Sequence, residues 1–181
     1  MNKDVKSILI DEAELVKIND ELGRKITADY KDSDKPLVVI VILKGSLVFA
    51  ADVIRKIELP LQLEFMKVSS YGAGTKTSGE IKVHLDLLRD DLENLNVLII
   101  EDIVDTGRTL SRLTQLLRNR NAHSVKTCTL LDKPSRREVD FTPDYVGRTI
   151  PDEFVIGYGL DFDEKYRNLP YVGILDPKAY S

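Results

Sequence analysis

The stretch "VLIIEDIVDTGRTL", residues 97–110, runs from an aliphatic segment into three carboxylates, Glu101, Asp102 and Asp105, and then into Thr106-Gly107-Arg108-Thr109. The apolar run reads as a buried strand, and Leu110, Leu113, Leu116 and Leu117 fall on one face of a helix that ends near "RNRN". A strand that turns into a helix through Thr-Gly-Arg-Thr offers backbone N–H groups, hydroxyls and the positive end of a helix dipole. Together these hold a phosphate. Gly107 lets the backbone approach that ligand closely. The pattern G-x-x-x-x-G-K-[ST] is absent, which argues against a P-loop nucleotidase.

Three acids beside an anion cradle need a reason. Glu101 and Asp102 are neighbours, so in an extended segment they point to opposite sides and answer to different partners. Carboxylates accept hydrogen bonds from sugar hydroxyls and hold Mg²⁺, directly or through water. The ligand implied carries a phosphate, a diol and a metal-bound diphosphate together. The acids then face the ribose and its cation, while the amides face the 5′-phosphate.

The same logic extends outward. "SVKTCTLL", 124–131, follows as a strand, so the motif sits inside a strand-turn-helix-strand crossover. A second crossover lies at 37–68: "PLVVIVIL" (36–43) is a strand buried on both faces, "LVFAADVIRK" a helix, and "LQLEFMKV" (61–68) an alternating strand. Asp11 and Glu14 resemble a capping box, and Leu15, Ile18, Leu22 and Ile26 predict a first helix over roughly 12–29. "IKVHLDL" is expected to pair with strand 61–68, across a glycine-rich loop at 69–80 that suits a functional lid. From 132 onward the chain is loop-rich, with short strands at "YVG", "FVIGYGL" and "YVGIL". The expectation is a single α/β domain over 1–181, with a mainly parallel sheet flanked by helices (about 10–131) and a small C-terminal hood (mostly 132–181). In such sheets ligands sit at the carboxyl ends of the strands.

Composition sets the outer limits. The chain has 181 residues and a net charge of −4, which gives no reason to expect broad nucleic-acid binding. Cys128, the single cysteine, reads as a buried, inert thiol. No secretory h-region or membrane-length apolar run is present, so a cytoplasmic location is expected. His84 and His123 have no ligand spacing around them. "DFDEKY" is not a calcium loop, because Lys165 and Tyr166 stand where an acid and a glycine are needed.

Four aliphatics, two acids, two aliphatics, then Asp-Thr-Gly-Arg-Thr resembles the phosphoribosyl-pyrophosphate motif of the type I phosphoribosyltransferases over thirteen consecutive positions. The resemblance covers nearly the whole chain and is nearest to the bacterial hypoxanthine-guanine group. It implies that Glu101, Asp102, Asp105, Thr106, Gly107, Arg108 and Thr109 bind the phosphoribosyl group, with Asp105 as catalytic base toward purine N7. "LKGS" (43–46) resembles the pyrophosphate loop, so Lys44 and Gly45 would bind the leaving group, and the Leu43–Lys44 peptide would be cis. Ser70 and Tyr71 resemble the pair on the family's lid, and Arg167 the arginine that binds pyrophosphate. Lys133 resembles the donor to a 6-oxopurine, Phe154 the stacking aromatic, Val155 the backbone reader, and Asp161 the acid near a second metal and the purine 2-position.

The activity implied is purine salvage, with Mg²⁺ held by Glu101, Asp102 and Asp161. The phosphoribosyl group of 5-phosphoribosyl 1-pyrophosphate would pass to N9 of hypoxanthine or guanine, giving IMP or GMP. A homodimer or homotetramer without membrane or nucleic-acid partners is implied with it. Two alternatives stand beside this reading: an RNA-binding regulator of pyrimidine operons with the same fold, and a xanthine-preferring relative.

Overall fold

The computed structural model describes residues 2–179 except 71–80, and for Ser70 the backbone alone. Strand β2 (Leu37–Ile42) is buried at every position, and its alternation builds two cores at once. Leu37, Val39 and Val41 face helix α1 (Glu12–Tyr30) and helix α2 (Leu47–Val53). Val38, Ile40 and Ile42 face the helix α3 (Arg108–Asn119), through Leu110, Leu113 and Leu117. Each such side chain contributes about 1.5–3 kcal/mol by leaving water. Asp11 caps α1 by accepting the Glu14 N–H at 2.8 Å, as its spacing predicts.

Around β2 the main sheet holds β3 (Leu61–Ser70), β4 (Ile81–Leu85), β5 (Asn96–Val104), β6 (Ser124–Asp132) and β7 (Tyr145–Thr149). Their order is β4-β3-β2-β5-β6-β7, parallel throughout except for the β3–β4 edge pair. Val39 pairs with Leu63 and Leu98, which fixes both crossovers in register. The mainly parallel α/β sheet is as expected, and so is the pairing of β4 with β3.

Three differences have physical reasons. The expected 47–56 helix stops at Val53 and tightens into a 3-10 turn over Ile54–Lys56. The "YVG" strand does not join the hood: it becomes β7, because Cys128 and Thr129 of β6 offer an open edge to Tyr145 and Val146. The hood sheet instead recruits the amino terminus. Strand β1 (Val5–Ile10) pairs antiparallel with β9 (Val172–Leu175), which pairs with β8 (Val155–Ile156).

The hood is seated on the core through Tyr158, whose hydroxyl accepts from Asn19 Nδ2 at 2.9 Å and donates to Asp52 at 2.5 Å. Most of the expected lid, including Tyr71, lies outside the described residues. No helix among the described residues is long and apolar enough to cross a membrane.

Candidate active site

β5 delivers its acids at the carboxyl end of the sheet, where the chain leaves for α3. Strict alternation fails there: Ile100 and Ile103 both pack on the α1–α2 side although three positions apart. Glu101 and Asp102 therefore border the same cleft instead of being parted by the sheet. Burial, then the neighbouring Asp102 charge, pushes the Glu101 carboxyl well above its usual range. Burial also raises Asp102, opposed in part by hydrogen bonds and by the Arg167 charge. Two desolvated acids side by side repel each other, and the arrangement favours a cation between them and a ligand.

The cleft measures about 450 Å³. One wall is the turn Asp105–Thr109, less Arg108, which lies against Glu138 at 2.6 Å. Gly107 caps α3 with φ +80°, a conformation that favours glycine. Ser111 N–H makes an early bond of the helix, to Gly107 O at 3.0 Å. Amides ahead of it lack a carbonyl one turn back, which suits an anion. Asp105 lies 3.2 Å from Arg136 Nε.

Lys44 and Gly45 form the opposite lip, and the Leu43–Lys44 peptide is cis. Gly45 touches the Asp102 carboxylate so closely that a Cβ there would overlap Oδ2. Asp161 and Arg167 close the cleft from the hood. Arg167 Nη2 sits 2.8 Å from Asp161 Oδ1, and its Nη1 donates to Gly159 O at 2.9 Å. Asp161 Oδ2 accepts the Glu164 N–H at 2.9 Å, so both of its oxygens are engaged. Lys44 Nζ meets Glu164 Oε2 at 2.9 Å, a contact between exposed groups that is worth little in stability.

Lys133, Phe154 and Val155 lie outside the 450 Å³ cleft. Lys133 Nζ is nearly buried and donates to Glu153 O at 2.6 Å. Phe154 stands edge-on to Phe162 (centroids 5.5 Å apart) and is 43% exposed, while Val155 is buried in β8. Ser70 ends β3 at the cleft's side, next to Ser69 in its wall.

Sequence reasoning passes over Arg136, Arg137 and Glu138, which contact the 105–109 turn. The signal available for them is a pair of arginines shortly after Lys133-Pro134, and spacing does not say where a loop arginine folds.

No group of three or more His, Cys, Asp or Glu among the described residues makes a metal cage. The adjacent Glu101 and Asp102 nonetheless fit Mg²⁺, which keeps waters and takes one or two carboxylates plus substrate oxygens.

A family model described as phosphoribosyl transferase domain matches residues 5–163. A hypoxanthine-guanine phosphoribosyltransferase of Staphylococcus epidermidis is 51% identical over 181 residues, covering 100% of this chain and 99% of that protein. The crystal structure of a hypoxanthine phosphoribosyltransferase from Staphylococcus aureus superimposes with a TM-score of 0.92 at 50% identity, covering 98% of this chain and 95% of that one. A mutant hypoxanthine phosphoribosyltransferase from Trypanosoma cruzi, in a ternary substrates complex, gives 0.93 at 41% identity, covering 99% and 100%. With a cleft of this construction and relatives of this likeness along its whole length, the chain belongs to the phosphoribosyltransferase family.

Proposed function

We propose that this chain transfers the phosphoribosyl group of 5-phosphoribosyl 1-pyrophosphate to N9 of hypoxanthine or guanine, releasing pyrophosphate and forming IMP or GMP. The observation that carries the reading is one cleft in which an anion-binding turn, an acid pair and a cationic hood residue converge. The name of the Staphylococcus epidermidis relative supports the purine salvage assignment. A cytoplasmic homodimer or homotetramer accompanies this reading.

Thr106, Gly107 and Thr109 would take the 5′-phosphate together with the Arg108 backbone amide, its side chain lying against Glu138, with Glu101 and Asp102 on the ribose hydroxyls. Lys44, Gly45 and Arg167 would take the pyrophosphate, and Ser70 and Tyr71, the latter outside the described residues, are proposed to cover it. Glu101 and Asp102, with Asp161 for a second ion, would hold Mg²⁺, which supplies charge neutralisation for the leaving diphosphate. Attack by N9 on ribose C1 passes through an oxocarbenium-like state, so catalysis is mainly orientation and electrostatic stabilisation. Excluding water protects that cation from hydrolysis.

Lys133 can keep its bond to Glu153 O and still donate to a purine 6-oxygen, since an ammonium has three donors. Phe154 offers ring surface for the purine to stack on, beside the Val155 backbone. Lys133→Gln is expected to lower kcat/KM for hypoxanthine and guanine alike, by about ten- to a hundredfold for one lost charged hydrogen bond. Equal use of adenine and hypoxanthine by the parent protein would refute this pocket.

The overall test is pyrophosphate release with hypoxanthine, guanine, xanthine, adenine and uracil in turn. Release with the first two supports the reading. Release with xanthine above both, or none with any base alongside steep salt-dependent RNA binding, favours one of the alternatives.

A further inference from the structure

We infer that Arg137 is a positioning residue that holds the phosphate turn with its amides toward the cleft. The inference rests on the function proposed above only for the ligand's identity. An anion cradle needs N–H groups on the ligand side, so the carbonyls of the same peptides must turn away and be satisfied elsewhere. Here four consecutive carbonyls are engaged, three by the 133–138 segment and one by the helix itself. Val104 O accepts from Lys133 N at 2.9 Å, Thr106 O from Glu138 N at 3.0 Å, and Gly107 O from Ser111 N at 3.0 Å. Asp105 O is the one held by a side chain: Arg137 Nη1 donates to it at 2.6 Å.

The other branch of the guanidinium, Nη2, donates to Asp132, and this ion pair is 15% and 11% exposed at its two ends. Asp132 closes β6 immediately before Lys133. One planar fork therefore spans the turn that would bind phosphate and the strand end that would bind the base. Its stem also packs on the turn, since a Cβ at Gly107 would sit 2.8 Å from Arg137 Cδ. Lysine cannot replace this group, because a single ammonium does not reproduce the fork.

The experiment compares amide hydrogen exchange at 105–109 in the ligand-free protein with steady-state kinetics, for the parent, Arg137→Lys and Asp132→Asn. Arg137→Lys is expected to speed exchange at Thr106 and Gly107 and to raise KM for 5-phosphoribosyl 1-pyrophosphate, each by about tenfold or more for a lost charged hydrogen bond. KM for hypoxanthine should stay within about twofold. Asp132→Asn, which keeps a hydrogen-bond acceptor for Nη2 and leaves the Asp105 carbonyl contact in place, should lower melting temperature and move KM for 5-phosphoribosyl 1-pyrophosphate far less than Arg137→Lys does. Should Arg137→Lys not fold, Arg137→Gln combined with Asp132→Asn carries the same test, since the double change leaves no buried carboxylate unpaired and lacks the fork as well.

Unchanged exchange in the Arg137 variant overturns the inference, and so does an equal rise of KM in both variants. A parent protein that binds no 5-phosphoribosyl 1-pyrophosphate refutes the proposed function instead, while the exchange result still decides on Arg137.

Discussion

Asp105→Asn is expected to lower kcat by about 10²–10⁴-fold, the usual contribution of a general base, on our proposal that Asp105 takes the proton from purine N7. Asparagine keeps the size of the side chain and leaves the turn intact. Its backbone is held by Arg137 on the Asp105 carbonyl and by Glu138 on the Thr106 carbonyl. Binding of 5-phosphoribosyl 1-pyrophosphate should therefore change by no more than a few-fold. Arg136, 3.2 Å from the carboxylate, keeps Asp105 paired at the rim of the cleft. Loss of turnover without loss of sugar-phosphate binding separates proton removal from positioning, and steady-state rates with a direct binding titration measure both. Unchanged turnover would remove Asp105 from the chemistry.

Gly159→Ala is expected to injure the site from a distance. Gly159 sits in the hood at φ +103°, and a Cβ there would overlap the backbone carbonyl oxygen of Gly45. A backbone carbonyl in the loop at Lys44 and Gly45 cannot rotate away as a flexible side chain could. The left-handed conformation costs a non-glycine residue about 1–3 kcal/mol, and forced overpacking costs about as much again. For a chain of this size that corresponds to a melting temperature lower by roughly 5–20 °C.

The same change pushes the hood off the loop, and Arg167 moves with it, because Arg167 and Gly159 exchange hydrogen bonds in both directions. KM for 5-phosphoribosyl 1-pyrophosphate should rise accordingly. Thermal unfolding and kinetics check the two effects, and an unaltered melting temperature would mean that hood and loop are not in rigid contact.

What can be read from the sequence follows from how local each signal is. β2 is an unbroken aliphatic run, β5 carries one at Val97–Ile100, and α3 has leucines at helical spacing, so these elements need only their own residues to be recognised. The phosphate turn is likewise contiguous. β1 escapes a sequence reading because "VKSILI" shows no clean alternation and finds its partner β9 more than 160 residues away. β7 reads as part of the hood because a short strand looks the same whichever sheet edge takes it.

The acids are legible, yet their common orientation is not, since it depends on a break in alternation that nothing in "IIEDIV" marks. Arg137 is the clearest case: its place behind the turn is decided by where the 133–138 segment folds. Lys133 and Phe154 stand out by their order along the chain. Their separation from the cleft of Glu101 and Asp102 is a matter of packing alone.

The central claim is that an amide turn and neighbouring acids together bind an activated sugar phosphate with its cation. Isothermal calorimetry of 5-phosphoribosyl 1-pyrophosphate titrated into the protein with Mg²⁺ present tests it most directly. The account predicts a saturable heat of one site per chain, strongly weakened when Glu101 and Asp102 are both replaced by their amides. No heat in the parent protein, or a binding curve indifferent to loss of both carboxylates, would contradict it.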